Sequence, residues 1–356
     1  MLSFFGLKNG PKQVQIEGVD AAIVSDGKET ILTAALKAGI RYPNNCRVGG
    51  CGACKCQLKS GKVKELTESA YILTAEELKA GYILACQSIP KTDVVVHVDH
   101  IDAGAPSHPL VTTGGTITAR RALTHDIVEL TVTLDEPLRY SAGQFAAVSV
   151  PGVVEQARSY SFARAPSANG NTEVVFYVRA VPNGVMSNWV QGDAALNHRV
   201  VVEGPYGEFY LRESGSQIYA IAGGSGLAPV RALLEQALND KCNRPVVFVF
   251  GARTQKDLYC LDDFASLRAK WNADFTFIPV LSHEPEDSDW KGERGLVTQF
   301  IEKRIDPQAQ VYMCGPPPMI DAAIAELERF SFRANDIFFD KFLDQSHTAA
   351  PEKKAG

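Results

Sequence analysis

Four cysteines crowd one short stretch, CRVGGCGACKC, as Cys46, Cys51, Cys54 and Cys56, and a fifth, Cys86, stands alone further on. Cys46, Cys51 and Cys54 are spaced C-x4-C-x2-C, and with the distant Cys86 they form the ligand pattern of a 2Fe-2S cluster held by four thiolates. The residues between them suit that chemistry. Thiolates and sulfides concentrate negative charge, so the loop must wrap closely and turn backbone N–H groups toward sulfur; Gly49, Gly50, Gly52 and Ala53 leave the room. Zinc is the first alternative, but its sites usually join two short cysteine or histidine knuckles, and this loop has one C-x2-C and no His. Structural thiols are the other alternative. Cys56 exceeds the four-ligand count and reads as a small buried hydrophobe.

A second chemical set is RSYS, residues Arg158, Ser159, Tyr160 and Ser161. A flavin dinucleotide offers a pyrophosphate to a guanidinium, a ring face to an aromatic and a redox-active nitrogen to a small hydrogen-bond donor. Arg158, Tyr160 and Ser161 supply one of each, and alternation along a strand would put Arg158 and Tyr160 on one face. Tyr160 as plain core is the alternative. Gly184, Val185, Met186 and Ser187 stand where a short helix would begin, with free N–H groups for a pyrophosphate, and GPYGEF (Gly204 to Phe209) reads as a turn.

A third set lies near the end. GGSGLAP carries Gly223, Gly224, Ser225 and Gly226 between a strand and a helix, which lets backbone approach a phosphate, and Pro229 suits the first helical position. The turn departs from G-x-G-x-x-G, and no acidic residue follows at the usual interval. CGPPPM places Cys314, Gly315 and Pro316 after a later strand, where open α/β sheets bind ligands; Cys314 alone reads as a buried structural thiol. In GARTQKDLY, Arg253 would stack on adenine or meet a 2′-phosphate, and Asp257 would favour a free 2′-hydroxyl; solvated loop charge is the alternative for both. The balance favours NADH.

Three kinds of pattern must position these residues. Early on, Gln13 to Ile16 and Ala22 to Val24 read as short strands, and Thr30 to Ala38 as a helix stopped by Gly39. A turn-rich linker near residues 99–112 follows. Thr116 to Arg120, Ile127 to Leu134, Phe145 to Val150, Val174 to Val178 and Arg199 to Val202 are then spaced as the strands of an antiparallel barrel or sandwich. Beyond residue 216, strands (IYAIA, VVFVF, FTFIPVL, QVYMC) alternate with helices at Pro229 to Asn239, Asp262 to Lys270 and Met319 to Arg329, as in a parallel sheet covered on both faces.

The chain of 356 residues is 45% hydrophobic and 22% charged, which suits a soluble protein of two or three domains. A net charge of -5 without a basic run gives no footprint for nucleic acid. No stretch has the roughly 18 apolar residues of a membrane span, and MLSFFGLKNG lacks the features of a secretory signal, so a cytoplasmic protein is expected. In that compartment clustered thiols bind metal or do redox work rather than form disulfides. Leu2, Phe4, Phe5 and Leu7 read as a frayed extension, with a short membrane-surface turn as the alternative.

Residues 10 to about 100 resemble a plant-type ferredoxin with a β-grasp fold, on the cysteine spacing. RSYS, VRAV (Val178 to Val181), GVMS and GPYGEF, then GGSGLAP and CGPPPM, resemble the ferredoxin-NADP reductase family in order and spacing. That resemblance implies FAD, with Arg158 on its phosphates, Tyr160 against the flavin, Ser161 beside the reactive nitrogen, and Val178, Arg179 and Val181 near the cofactor. It also implies Cys314 near the hydride-donating carbon and an aromatic, Phe342 or Phe339, shielding the flavin, although core packing is the default for either and the chain continues past them. The domains expected are 1–99, a ferredoxin; 112–210, an FAD-binding β-barrel; 214–343, an NAD-binding α/β domain; and 344–356, a flexible tail. This order resembles the reductases of multicomponent bacterial oxygenases such as xylene, toluene and phenol monooxygenases, which implies NADH as donor and an oxygenase or hydroxylase component as transient acceptor. A different iron-sulfur acceptor, such as a deoxysugar dehydrase, and a non-catalytic redox sensor are the competing readings.

Overall fold

The structure, a computed structural model, describes residues 10–192 and 195–343; the expected N-terminal extension and C-terminal tail lie outside them. Two compact units are present, one ending at Leu110 and the other spanning Val111–Phe342.

The first unit is a mixed sheet with a helix across it. β1 (Lys12–Ile16) and β2 (Ile23–Ser25) form a hairpin whose alternation sends Val14, Ile16 and Ile23 inward. α1 (Ile31–Lys37) is capped by the Thr30 hydroxyl, which accepts the Thr33 N–H at 3.2 Å, and lays Ile31, Leu32, Ala34 and Ala35 into the core. After a long loop come β3 (Lys55–Ser60), β4 (Val63–Glu65), α2 (Ala75–Lys79), β5 (Tyr82–Leu84), β6 (Ser88–Pro90) and β7 (Val94–His97). The sheet order is β2-β1-β7-β3-β5, parallel only between β1 and β7, which is the β-grasp arrangement. Part of the expected linker belongs to this unit: Arg41 donates to the Ala103 carbonyl and Ala105 is buried.

The second unit begins with an antiparallel barrel of β8 (Val111–Ala122), β9 (Ile127–Leu138), β10 (Phe145–Val150), β11 (Val154–Ser161), β12 (Asn171–Arg179) and, after α3 (Val185–Trp189), β13 (Arg199–Tyr206). Its order is β11-β10-β13-β8-β9-β12, and a bridge between Phe162 and Phe176 brings the two edges together. The chain then enters a parallel sheet, β17-β16-β15-β14-β18-β19, through β14 (Ile218–Gly223), α4 (Leu227–Asn239), β15 (Val246–Ala252), α5 (Leu261–Lys270) and β16 (Phe275–Leu281). β17 (Glu293–Arg294), α6 (Ile301–Arg304), β18 (Gln310–Gly315), α7 (Pro317–Arg329) and β19 (Ile337–Lys341) complete it.

Opposite faces of β14 and β15 serve two cores: Ala220, Ala222, Phe248 and Phe250 meet α4 and α5, while Ile221 and Val249 meet α6 and α7. The first of these cores also takes Ile127, Val175, Tyr177 and Phe209 from the barrel, so barrel and sheet are welded together. Buried Arg231 reinforces the weld, holding Glu235 at 2.8 Å, Asp263 at 3.1 Å and the Tyr177 hydroxyl.

Two expected helix starts are corrected. α4 begins at Leu227 after a 3-10 turn, so Pro229 is its third residue, and α7 begins at Pro317 rather than Met319. First-turn N–H groups have no intrahelical acceptor, so proline is tolerated throughout that turn and does not mark one position.

Candidate functional site

The loop between α1 and β3 carries Cys46, Cys51 and Cys54, and a 3-10 turn at Ala85–Gln87 presents Cys86. The four thiols meet as two interacting pairs, Cys46 with Cys51 and Cys54 with Cys86. Main-chain donors surround them, with Gly50 N–H 3.3 Å from the Cys46 sulfur and Cys86 N–H 3.4 Å from that of Cys54. The Cys51 hydrogen bond and the nearby N–H groups outweigh burial and lower Cys46 to about 6; Cys86 falls chiefly through Cys54. Their partners, Cys51 and Cys54, are pushed up by the neighbouring thiol and by burial.

Among the described residues no three of these sulfurs lie within 4.8 Å of one another. One zinc ion, bonding sulfur at about 2.3 Å, would draw all four within about 4 Å. Two separate pairs would supply two thiolates to each iron of a 2Fe-2S cluster. The buried Thr67 hydroxyl has no partner and stands beside the loop, where a Cβ on Gly49 would approach it to 3.0 Å. Paired thiols, inward N–H groups and this hydroxyl fit a 2Fe-2S cluster. Cys56 is wholly buried on β3.

RSYS forms the end of β11. Arg158 donates to the carbonyls of Gln156 at 2.9 Å and Ala157 at 3.2 Å and meets no carboxylate among the described residues, which leaves its charge available to a phosphate. Tyr160, two residues on, is half-buried with its ring 6.2 Å from Phe176; Ser161 is buried, and Ser159 is exposed. α3 starts after Gly184, where a Cβ would come within 2.5 Å of Val181. The Ser187 hydroxyl is engaged in that turn, accepting the Val181 N–H at 3.2 Å. Val181 and Val185 are exposed apolar residues flanking the turn, whereas Val178 and Met186 bury their side chains in the barrel and offer only backbone. An uncompensated guanidinium, a helix start with free N–H groups and exposed apolar flanks fit a flavin dinucleotide.

At the C-terminal ends of the parallel strands lies a cavity of about 460 Å³, lined by Gly224, Arg253, Asp257, Pro316 and Met319 and, from the barrel, by Asp126 and Arg179. Arg179 thus faces the sheet-side cavity. Asp126 accepts from Arg179 at 2.9 Å and from Arg253 at 3.2 Å; Arg253 also holds Asp257 at 2.8 Å. Burial raises both carboxyls, but the arginine hydrogen bonds outweigh it and leave them below their ordinary range. His125 adds a third ligand-type atom within 4.8 Å of the two aspartates, whose charges the arginines already balance.

The two glycine turns pack on each other. A Cβ on Gly226 would lie 2.5 Å from the Cys314 carbonyl carbon, and one on Gly223 would lie 2.6 Å from the Met319 sulfur. Ser225 is half-buried. Cys314 has no exposed surface, and burial, with the neighbouring Asp340 next, pushes its thiol well up. Phe342 donates its N–H to the Gly315 carbonyl at 3.1 Å and packs against the shared core. Sequence reasoning missed Asp126, which sits in a strand-to-strand turn without a motif, and read Met319, the last residue of CGPPPM, only as a helix start.

Such a fold and such sites define an NAD-dependent iron-sulfur flavoprotein reductase. Three family models match in the same order: a 2Fe-2S iron-sulfur cluster binding domain over residues 14–91, an oxidoreductase FAD-binding domain over 115–210 and an oxidoreductase NAD-binding domain over 220–324. The chain is 41% identical over 318 residues to the xylene/toluene monooxygenase electron transfer component of Pseudomonas putida, covering 89% of each. It is 32% identical over 348 residues to the reductase component of phenol 2-monooxygenase from Pseudomonas sp. strain CF600, covering 96% of this chain and 97% of that one. The crystal structure of an Amycolatopsis cytochrome P450 reductase superposes with a TM-score of 0.84 at 33% identity, over 93% of this chain and 98% of that one. The chain belongs to this family of oxygenase electron-transfer components, with FAD, a 2Fe-2S cluster and NADH as its cofactors.

Proposed function

We propose that this protein accepts hydride from NADH at the sheet-side cavity and releases electrons one at a time, through the cluster held by Cys46, Cys51, Cys54 and Cys86, to a separate oxygenase component acting on a hydrocarbon or aromatic compound. The pairing of the four thiols carries this reading, because it adds a one-electron outlet to a two-electron dehydrogenase. FAD, when bound, supplies the conversion between paired and single electrons.

The chain's own residues do the holding. Arg158 and the N–H groups at Val185 to Ser187 take the flavin pyrophosphate; Tyr160 covers the ring and Ser161 donates beside its reactive nitrogen. Gly223 to Gly226 admit the nicotinamide dinucleotide's phosphates, and Cys314, Gly315 and Pro316 border its ring. Asp257 accepts a ribose hydroxyl, and its bond to Arg253 leaves no unbalanced cation there for a 2′-phosphate, which favours NADH. Phe342 shields the flavin. Among the described residues no helix is long and apolar enough to cross a membrane, and all eight cysteines are free, which supports a reducing cytoplasm.

An anaerobic NADH titration followed by absorption and electron spin resonance tests the reading. Both centres should bleach and a reduced 2Fe-2S signal should appear; bleaching of the flavin alone would refute the cluster as outlet. Cys86→Ser should abolish transfer to a protein acceptor while NADH-to-dye activity persists.

A further inference from the structure

Gln87 directly follows the ligand Cys86 and is buried at 7% exposure, an unusual place for an amide unless its hydrogen bonds are met. Its Nε2 faces three acceptors: the Arg47 carbonyl at 2.8 Å, the Cys86 carbonyl at 3.0 Å and the Cys86 sulfur at 3.5 Å. That environment fixes which way the amide points. Turned over, its oxygen would confront two carbonyls and a sulfur with no proton between them.

The same side chain shapes the loop. Arg47, next to Cys46, sits in the left-handed region at φ 59°, and its carbonyl is the shortest of the three contacts, so Gln87 ties the loop of the first three ligands to the turn of the fourth. Gly49, at φ 79°, makes the space: a Cβ there would come within 2.8 Å of the Gln87 Cγ.

We infer that Gln87 is a positioning residue that sets the cluster's reduction potential by donating an amide proton to the Cys86 sulfur. The inference rests on the cluster reading above. Reduction places one electron on a group that is already negatively charged; the electron arrives from the flavin and leaves to the acceptor, and no bond forms or breaks. A donor held on a ligand sulfur stabilises the more negative state more strongly, so it raises the potential.

The test is a redox titration of the full-length holoprotein, with the cluster followed by electron spin resonance and the flavin couple as internal reference. Gln87→Met keeps the length of the side chain and removes the donor; its cluster reduction constant should fall about tenfold, which for a one-electron couple is about 59 mV. Gln87→Glu presents only acceptors and should fall further. A midpoint unchanged within about twofold in the Gln87→Met reduction constant overturns the inference, and partial cluster loading does not blur this, since a midpoint is independent of amount. Should neither variant hold a cluster, wild-type protein carrying side-chain 15N-glutamine decides: a nitrogen coupling to the reduced cluster in pulsed spectra supports the bond, and its absence overturns it. If the wild type itself gave no 2Fe-2S signal, the cluster reading would fall instead.

Discussion

Gly226 offers the sharpest test of how the nicotinamide site is built. Its φ of -61° and ψ of -8° suit any residue, so Gly226→Ala introduces no backbone strain and acts by volume alone. The new methyl would lie 2.5 Å from the Cys314 carbonyl carbon and 2.8 Å from the Gly315 Cα, both main-chain atoms that cannot swing aside. To reach ordinary contact, near 3.4 Å, the β14–α4 turn and the end of β18 must separate by about 1 Å. Overpacking of this kind costs about 1–3 kcal/mol. A misplacement of about 1 Å at reacting atoms costs up to about 100-fold in rate. Steady-state NADH-to-ferricyanide kinetics should therefore show kcat/KM lowered at least about tenfold, with Tm down by several degrees and the flavin and cluster absorption retained. Unchanged kcat/KM with a lowered Tm would mean that the contact is real but that these turns do not border the nicotinamide. Wild-type behaviour in both would refute the packing itself.

Arg158→Ala removes the uncompensated guanidinium, and loss of charge-assisted bonds of about 1.5–3 kcal/mol should weaken FAD binding by about 10- to 100-fold; unchanged release of fluorescent flavin on dilution would contradict its role. In metal-free protein, Cys46 is lowered to about 6 while Cys51 is raised, so of these two Cys46 is the one that carries the thiolate above pH 6. Iodoacetamide at pH 7, read by mass spectrometry, should label Cys46 well before Cys51; equal rates would count against the pairing. Asp126→Asn leaves Arg253 with one carboxylate in place of two, so kcat/KM for NADPH should rise relative to NADH by up to about tenfold; an unchanged ratio would place the ribose elsewhere.

What could be read from sequence follows from what imposes the pattern. The cluster dictates its own ligand spacing, so the 2Fe-2S domain was legible from the spacing of Cys46, Cys51, Cys54 and Cys86 without any structure. β10 and β14 are apolar runs bounded by turn residues and were found nearly to the residue. β5 and β7 were not: at three and four residues they are shorter than the window in which alternation can be counted, and pairing within the sheet defines them. β8 and β9 run to twelve residues, beyond Thr116 to Arg120 and Ile127 to Leu134, because pairing with their other neighbours continues: Val111 to Gly114 lie along β13, and Leu138 pairs with Asn171 of β12.

Which sulfurs pair, and which carboxylate reaches Arg253, are properties of folding and not of spacing. Asp126 and Asp257 lie far apart in the chain yet share one guanidinium, because the turn after β8 is carried to the sheet by the core that barrel and sheet share. That core has a functional reason. Hydride moves only between atoms held near contact, so the halves that bind its donor and its acceptor cannot drift, and Arg231 of α4, bonded to the Tyr177 hydroxyl of the barrel, helps keep them in one unit. Electrons tolerate looser geometry than hydride, and their outlet must meet a partner and leave it. The cluster accordingly sits in a unit with its own core, whose chain stays anchored as far as Ala105 before β8 begins.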